Sequence, residues 1–175
     1  MQLVISVVGE HRNDLIAELT RTIKECRCGI LESRMTTLGQ DFGAHLLVDG
    51  NWNHVAKLEN ALDALSHRHG LKIQALRGSE KEQELDNAIP YAVDAFAADS
   101  LDNIHELAEF FTNRNIHIVY FTSSRYPAPY NGSPLFLAHL VVLIPVGIRI
   151  VSLRDEFLEF CDKQNLDAIL EPIKR

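Results

Sequence analysis

The chain has 175 residues, 46% of them apolar and 23% charged, a globular composition that suits one ordinary domain or two small ones and is neither disordered nor fibrous. The net charge of −7 is uneven: residues 1–78 carry nine basic and nine acidic side chains, residues 79–87 net −3, and residues 88–175 net −4. With no basic patch to meet phosphates, no direct nucleic-acid binding is expected. No apolar run approaches the roughly 18 to 20 residues of a membrane span, so no membrane partner is expected. The first residues lack the basic start and cleavage region of a signal peptide, which leads to the expectation of a cytoplasmic protein.

Leu3, Ile5 and Val7 alternate with more polar neighbours, which predicts a strand. A polar stretch follows, Gly9-Glu10-His11-Arg12-Asn13-Asp14. Leu15, Ile16, Leu19, Ile23 and Cys26 then recur at helical spacing and predict a helix over 14–27, stopped by Gly29. Strands are predicted over 30–38 and 42–48, joined by a tight turn at Gly39-Gln40-Asp41. Val55, Leu58, Leu62 and Leu65 mark a second helix, and Leu71, Ile73 and Ala75 a closing strand. The order is β-α-β-β-α-β.

Residues 79–87 are polar and charged and read as a solvated linker between a first domain, 1–78, and a second, 88–175. The second half repeats the order. Tyr91, Val93 and Ala95 alternate; Ile104, Leu107, Ala108 and Phe111 form a helical face; Ile116–Arg125 and Leu135–Ile144 read as strands. Ile150, Leu153, Phe157, Phe160 and Cys161 form another helical face, before a short strand over Leu166–Leu170. Apolar positions repeat at a constant spacing of 88: Ile5 with Val93, Leu19 with Leu107, Ile23 with Phe111, Ile30 with Ile118. Shared element order and shared spacing point to an internal duplication. The predicted class is α+β, two ferredoxin-like βαββαβ units, each an antiparallel sheet with helices on one face. Units this small have thin cores and one bare sheet face, so close association of the halves and a homodimer are expected.

A strand ending in Val8-Gly9-Glu10-His11-Arg12, then a helix opening with Leu15-Ile16, resembles the start of an ACT domain. Cys28-Gly29-Ile30-Leu31-Glu32-Ser33-Arg34-Met35 before a hairpin, with Gly50-Asn51-Trp52-Asn53 before the second helix, resembles the glycine cleavage system transcriptional repressor family, which pairs two ACT domains. The resemblance implies an amino-acid-responsive regulator that restrains a LysR-type activator by protein contact. It also implies a small amino acid, glycine first, bound at the loop between first strand and first helix. The implied ligand-binding residues are Gly9, His11, Arg12, Asn13 and Asp14 in the first half, and Asp99, Ser100, Leu101 and Asp102 in the second.

Elementary chemistry suits that loop. A helix N-terminus offers free N–H groups and a positive dipole end to a carboxylate, and a glycine lets a ligand approach the backbone. The family's Asp-Arg-Pro-Gly is here His11-Arg12-Asn13-Asp14, with Arg12 alone matching. Asp14 falls at the predicted N-cap, where its carboxylate would take the free N–H groups itself and repel a ligand carboxylate. Asp102 falls at the equivalent cap of the second half. Two further readings therefore stay open: an amino-acid sensor acting on a metabolic enzyme, and a ligand-free dimerisation module.

The second-half hairpin carries an insertion, Tyr126–Pro134, with three prolines: a projecting arm or a variable loop. Trp52 is expected to pack on its own domain rather than anchor a partner. Cys26, Cys28 and Cys161 have no redox or zinc spacing and are expected as packed thiols. His67 and His69 are expected to serve the helix dipole beside Gly70. No nucleophile elbow, phosphate loop or metal-ligating helix motif is present, so no catalysis, metal or cofactor is expected.

Overall fold

A computed structural model describes residues 1–78, 87–98, 103–127 and 132–173. The predicted linker, Asn87 apart, lies outside the described residues, as do Asp99, Ser100, Leu101, Asp102 and residues 128–131. The chain divides into two units, Met1–Lys81 and Glu82–Arg175.

The first unit runs β1 (Gln2–Glu10), α1 (Leu15–Glu25), β2 (Gly29–Leu38), β3 (Asp41–Asp49), α2 (Trp52–His69) and β4 (Lys72–Gly78). The second runs β5 (Ala88–Ala98), α3 (Asn103–Thr112), β6 (His117–Pro127), β7 (Pro134–Pro145), α4 (Ile150–Gln164) and β8 (Leu166–Pro172). Each forms a four-stranded antiparallel sheet, ordered β2-β3-β1-β4 and β6-β7-β5-β8. This is the ferredoxin-like arrangement predicted from the element order.

Period-two alternation turns Leu3, Ile5 and Val7 of β1 and Phe42, Ala44, Leu46 and Val48 of β3 toward the helices, where all are buried. Leu15, Leu19 and Ile23 of α1 and Val55, Leu58, Leu62 and Leu65 of α2 close that core. The second core repeats it with Tyr91, Val93 and Ala95, Phe136 to Val142 at alternate positions, Leu107, Phe111, Leu153 and Phe157.

The duplication extends to irregular features. A β-bulge follows Ile30 in β2, and another follows Ile118, 88 residues on, in β6. Left-handed backbone at Arg27 (φ 59°) recurs at Asn115 (φ 54°), and at Gly70 (φ 64°) it recurs at Asn165 (φ 52°). Cys28 N–H bonds Ile23 O and Ile116 N–H bonds Phe111 O, so both first helices end in the same six-residue closure.

Four local expectations need correction. Helix α1 spans 15–25 rather than 14–27, and its left-handed stop is Arg27; Gly29 already belongs to β2. Ile16 and Ile104 are exposed, because the buried stripes centre on Leu19 and Leu107 and leave their neighbours at the rim. Phe110 takes the inward position in α3 instead. Tyr126, Pro127 and Pro134 are strand residues rather than loop, since Pro127 pairs with Pro134 across the hairpin. Trp52 is 60% exposed: as first residue of α2 it points away from the core that Val55 and Leu58 enter.

Candidate functional site: the loop between β1 and α1

The strand β1 delivers Glu10 to the end of the sheet, and the chain turns through His11–Asp14 into α1. His11 N–H bonds Gln40 O at 2.9 Å, tying the loop to the β2–β3 turn, and His11 Nδ1 lies 3.3 Å from Thr37 Oγ1. Leu15 N–H bonds Arg12 O at 3.2 Å and Glu18 N–H bonds Asp14 O at 2.9 Å, which fixes the first turn.

Asp14 sits at the N-cap but does not cap. Its backbone is helical (φ −91°, ψ −10°) and its side chain makes no capping hydrogen bond. The carboxylate instead accepts two bonds from Arg12, from Nε at 3.1 Å and Nη2 at 2.6 Å, a bidentate pair that turns it off the helix axis. The Arg12 guanidinium holds the Asp14 carboxyl below the usual carboxylate range. The expected capping of α1 by the Asp14 carboxylate is therefore corrected.

Arg12 also donates from Nη1 to Nδ1 of His69, at the far end of α2. Arginine has no acceptor, so in this contact His69 Nδ1 is the accepting nitrogen and Nε2 faces Glu18. That Nε2 lies 2.9 Å from Glu18 Oε2, at ion-pair distance but outside hydrogen-bond geometry; both atoms are buried without a hydrogen-bond partner. Arg12, Glu18 and Arg68 (3.9 Å from Glu18) thus enclose a nearly buried imidazole between the two helices. His69 does more than serve the dipole, and the sequence carried no signal for it beyond its place next to Gly70.

Gly9 is needed for packing. A Cβ there would overlap Cδ2 of Leu71, whose buried side chain packs directly against the glycine. Asn13 makes no interaction that defines a role. In the second unit, Asn103 Nδ2 donates to Ala98 O at 3.3 Å and bridges the ends of the equivalent loop. A cavity of about 220 Å³ lies nearby, lined by Phe96, Tyr126, Leu135, Asn165 and Asp167.

Two helices on one face of a β2-β3-β1-β4 sheet, with a tied loop leading into the first helix, make a ferredoxin-like unit. Residues 1–75 match the ACT domain family. The second unit repeats the fold of the first, and the chain as a whole resembles the glycine cleavage system transcriptional repressors. It is 24% identical over 171 residues to the glycine cleavage system transcriptional repressor of Escherichia coli K12, covering 98% of this chain and 90% of that protein. The Shigella flexneri protein of the same name matches to the same extent. The same fold is seen in a crystal structure of an unknown protein from Galdieria sulphuraria (TM-score 0.79, 22% identity, 99% of this chain and 98% of that one). It recurs in a crystal structure of a candidate glycine cleavage system transcriptional repressor (TM-score 0.76, 24% identity, the same coverage). Among the described residues, no helix is long and apolar enough to cross a membrane.

Proposed function

We propose that this chain is an amino-acid-responsive regulator that works by protein contact, a cytoplasmic homodimer rather than an enzyme. Its partner is a LysR-type activator of glycine cleavage genes, and its effector is a small amino acid, glycine first. The near full-length similarity to repressors of that name supports a regulatory role toward glycine cleavage genes, and the LysR-type partner and the glycine effector are what the resemblance implies. The observation that carries the sensing is the withdrawal of Asp14 onto Arg12, which leaves the N-terminus of α1 without a side-chain cap. Uncapped N–H groups with the dipole's positive end attract a carboxylate. The balanced charge of residues 1–78 and the net −4 of residues 88–175 favour contact with protein over contact with phosphates.

The test is a thermal-shift screen against the common amino acids at millimolar concentration, with and without Arg12→Ala. A ligand at 100 times its Kd stabilises by about 2.7 kcal/mol, roughly 5 to 10 °C for a chain this long. A selective shift in the parent protein that Arg12→Ala loses supports the reading. No shift with any amino acid rejects the sensor and leaves a ligand-free dimerisation module. Capture of a metabolic enzyme, and not of the activator, favours the alternative sensor.

A further inference from the structure

We propose that the open face of the second sheet is the surface through which two copies of this chain pair. The inference deepens the homodimer reading above and rests on it. The two sheets share one backbone plan, so their helix-free faces can be compared position by position. In the first unit, β3 presents Asp41, Gly43 and Asp49 on that face; the second unit places Leu135, Leu137 and Leu143 there. Glu32 of β2 becomes Tyr120 of β6, and Gln74 of β4 becomes Ile169 of β8. The central strand β7 thus carries three leucines where β3 has two acids and a glycine, while the first face keeps scattered apolar residues at Val4, Val8, Leu38 and Leu76. Tyr120 at 36% and Ile169 at 57% exposure are large apolar side chains facing solvent, and apolar surface of this kind in one patch marks an interaction site.

The occupant follows from charge and area. At the centre of this face Asp94 accepts from His139 Nδ1 at 2.7 Å, where the first unit has Ser6 and His45 at 3.0 Å. A patch whose centre sets a hydrogen-bond acceptor, Asp94, beside a donor, His139 Nδ1, is its own complement. Across a twofold axis, each Asp94 meets the His139 of the other copy. The remaining acids of the face, Asp167 and Glu171, lie on edge strand β8 at the rim. Two sheets with the same twist stack face to face at about −30°. Strands spaced about 4.8 Å and rising about 3.3 Å per residue give a four-stranded face of this length roughly 600–700 Å². That is close to the roughly 800 Å² per partner of a standard stable interface.

The test is sedimentation velocity on the full chain and three variants, each first checked for native circular dichroism. Leu137→Arg and Ile169→Arg place a charge on the proposed face; Leu76→Arg does so at the exposed position of the first sheet. The expected result is a dimer whose dissociation constant rises at least roughly ten-fold in the first two variants and is unchanged in the third. Ile169 is mostly exposed, so that variant folds even where Leu137→Arg does not. A dimer that survives both substitutions overturns this surface and leaves the homodimer standing. Equal dissociation by all three overturns the choice of the second sheet. A parent chain that is monomeric throughout overturns the homodimer and this surface together.

Discussion

Arg12 and His69, 57 residues apart, meet across the ends of α1 and α2, the guanidinium donating to an imidazole that is nearly buried. The second unit has Gln164 in the place of His69 and Glu106 in that of Glu18, with Gln164 Nε2 donating to Glu106 Oε2 at 3.4 Å. A glutamine can accept from Arg12 through its oxygen, as the histidine does, and its nitrogen can also donate to Glu18, as Gln164 does to Glu106. His69→Gln is therefore expected to change stability by under about 1 kcal/mol, and His69→Leu to cost about 1–3 kcal/mol by leaving the Arg12 Nη1 donor without its acceptor. Urea unfolding of both variants checks this.

The two helix starts of the first unit give opposite expectations. Asn51 Oδ1 accepts from His54 N–H at 2.9 Å, a working cap. Asn51→Ala should cost about 1 kcal/mol. Asp14 makes no cap bond, and its pair with Arg12 is exposed. Asp14→Ala should change stability far less than Asn51→Ala does. Equal losses in denaturant unfolding would show that Asp14 caps in solution.

Gly9→Ala sets a methyl against Leu71. The expected loss is about 1–3 kcal/mol, the range for overpacking. Leu71→Ala alone leaves a void, and in the double variant the added methyl relieves part of it. The cycle should show a coupling of at least about 0.5 kcal/mol. Additive losses would mean that the two side chains do not compete for that space.

Burial pushes the Cys161 thiol up to about 11, with Asp162 and Asp167 adding to the effect. The unfolded chain loses this proton near pH 8.5 and the folded chain keeps it, so this cysteine makes stability fall as pH rises from about 8.5 to 11. Cys161→Ala should flatten that slope in a pH series of urea unfolding curves. In native protein at pH 8, half-buried Cys28 should react with a thiol reagent before Cys26 or Cys161, both buried.

The sequence made the sheets and both cores legible because each rests on a period. Leu3, Ile5 and Val7 keep a spacing of two, while Leu58, Leu62 and Leu65 keep a helical one. Ile16 and Ile104 misled because a helical period locates a stripe but not its edges. The loop chemistry was half legible. Arg12 was singled out, but its partner His69 comes from the far end of α2, and no local pattern encodes a contact at that separation. Asp14 was placed at the right position and given the wrong partner. Propensity favours a cap there, and a neighbouring guanidinium with bidentate geometry outcompetes the backbone.

The inserted hairpin has a consequence of parity. Up to β6 the two units are related by a shift of 88; along β7 the shift is 94, as Phe42 and Phe136 or Val48 and Val142 show. The insertion is even in length. Two residues added to each arm of a hairpin lengthen it and return every side chain to its own face, whereas an odd addition must be absorbed by a bulge or a different turn. The further step to 95, seen between Leu58 and Leu153, falls between β7 and α4, where no alternation has to be preserved. The tip of this hairpin can therefore grow or shrink by pairs between relatives without disturbing Phe136, Ala138 or Leu140 beneath it, while single-residue changes should collect in the connection leading into α4.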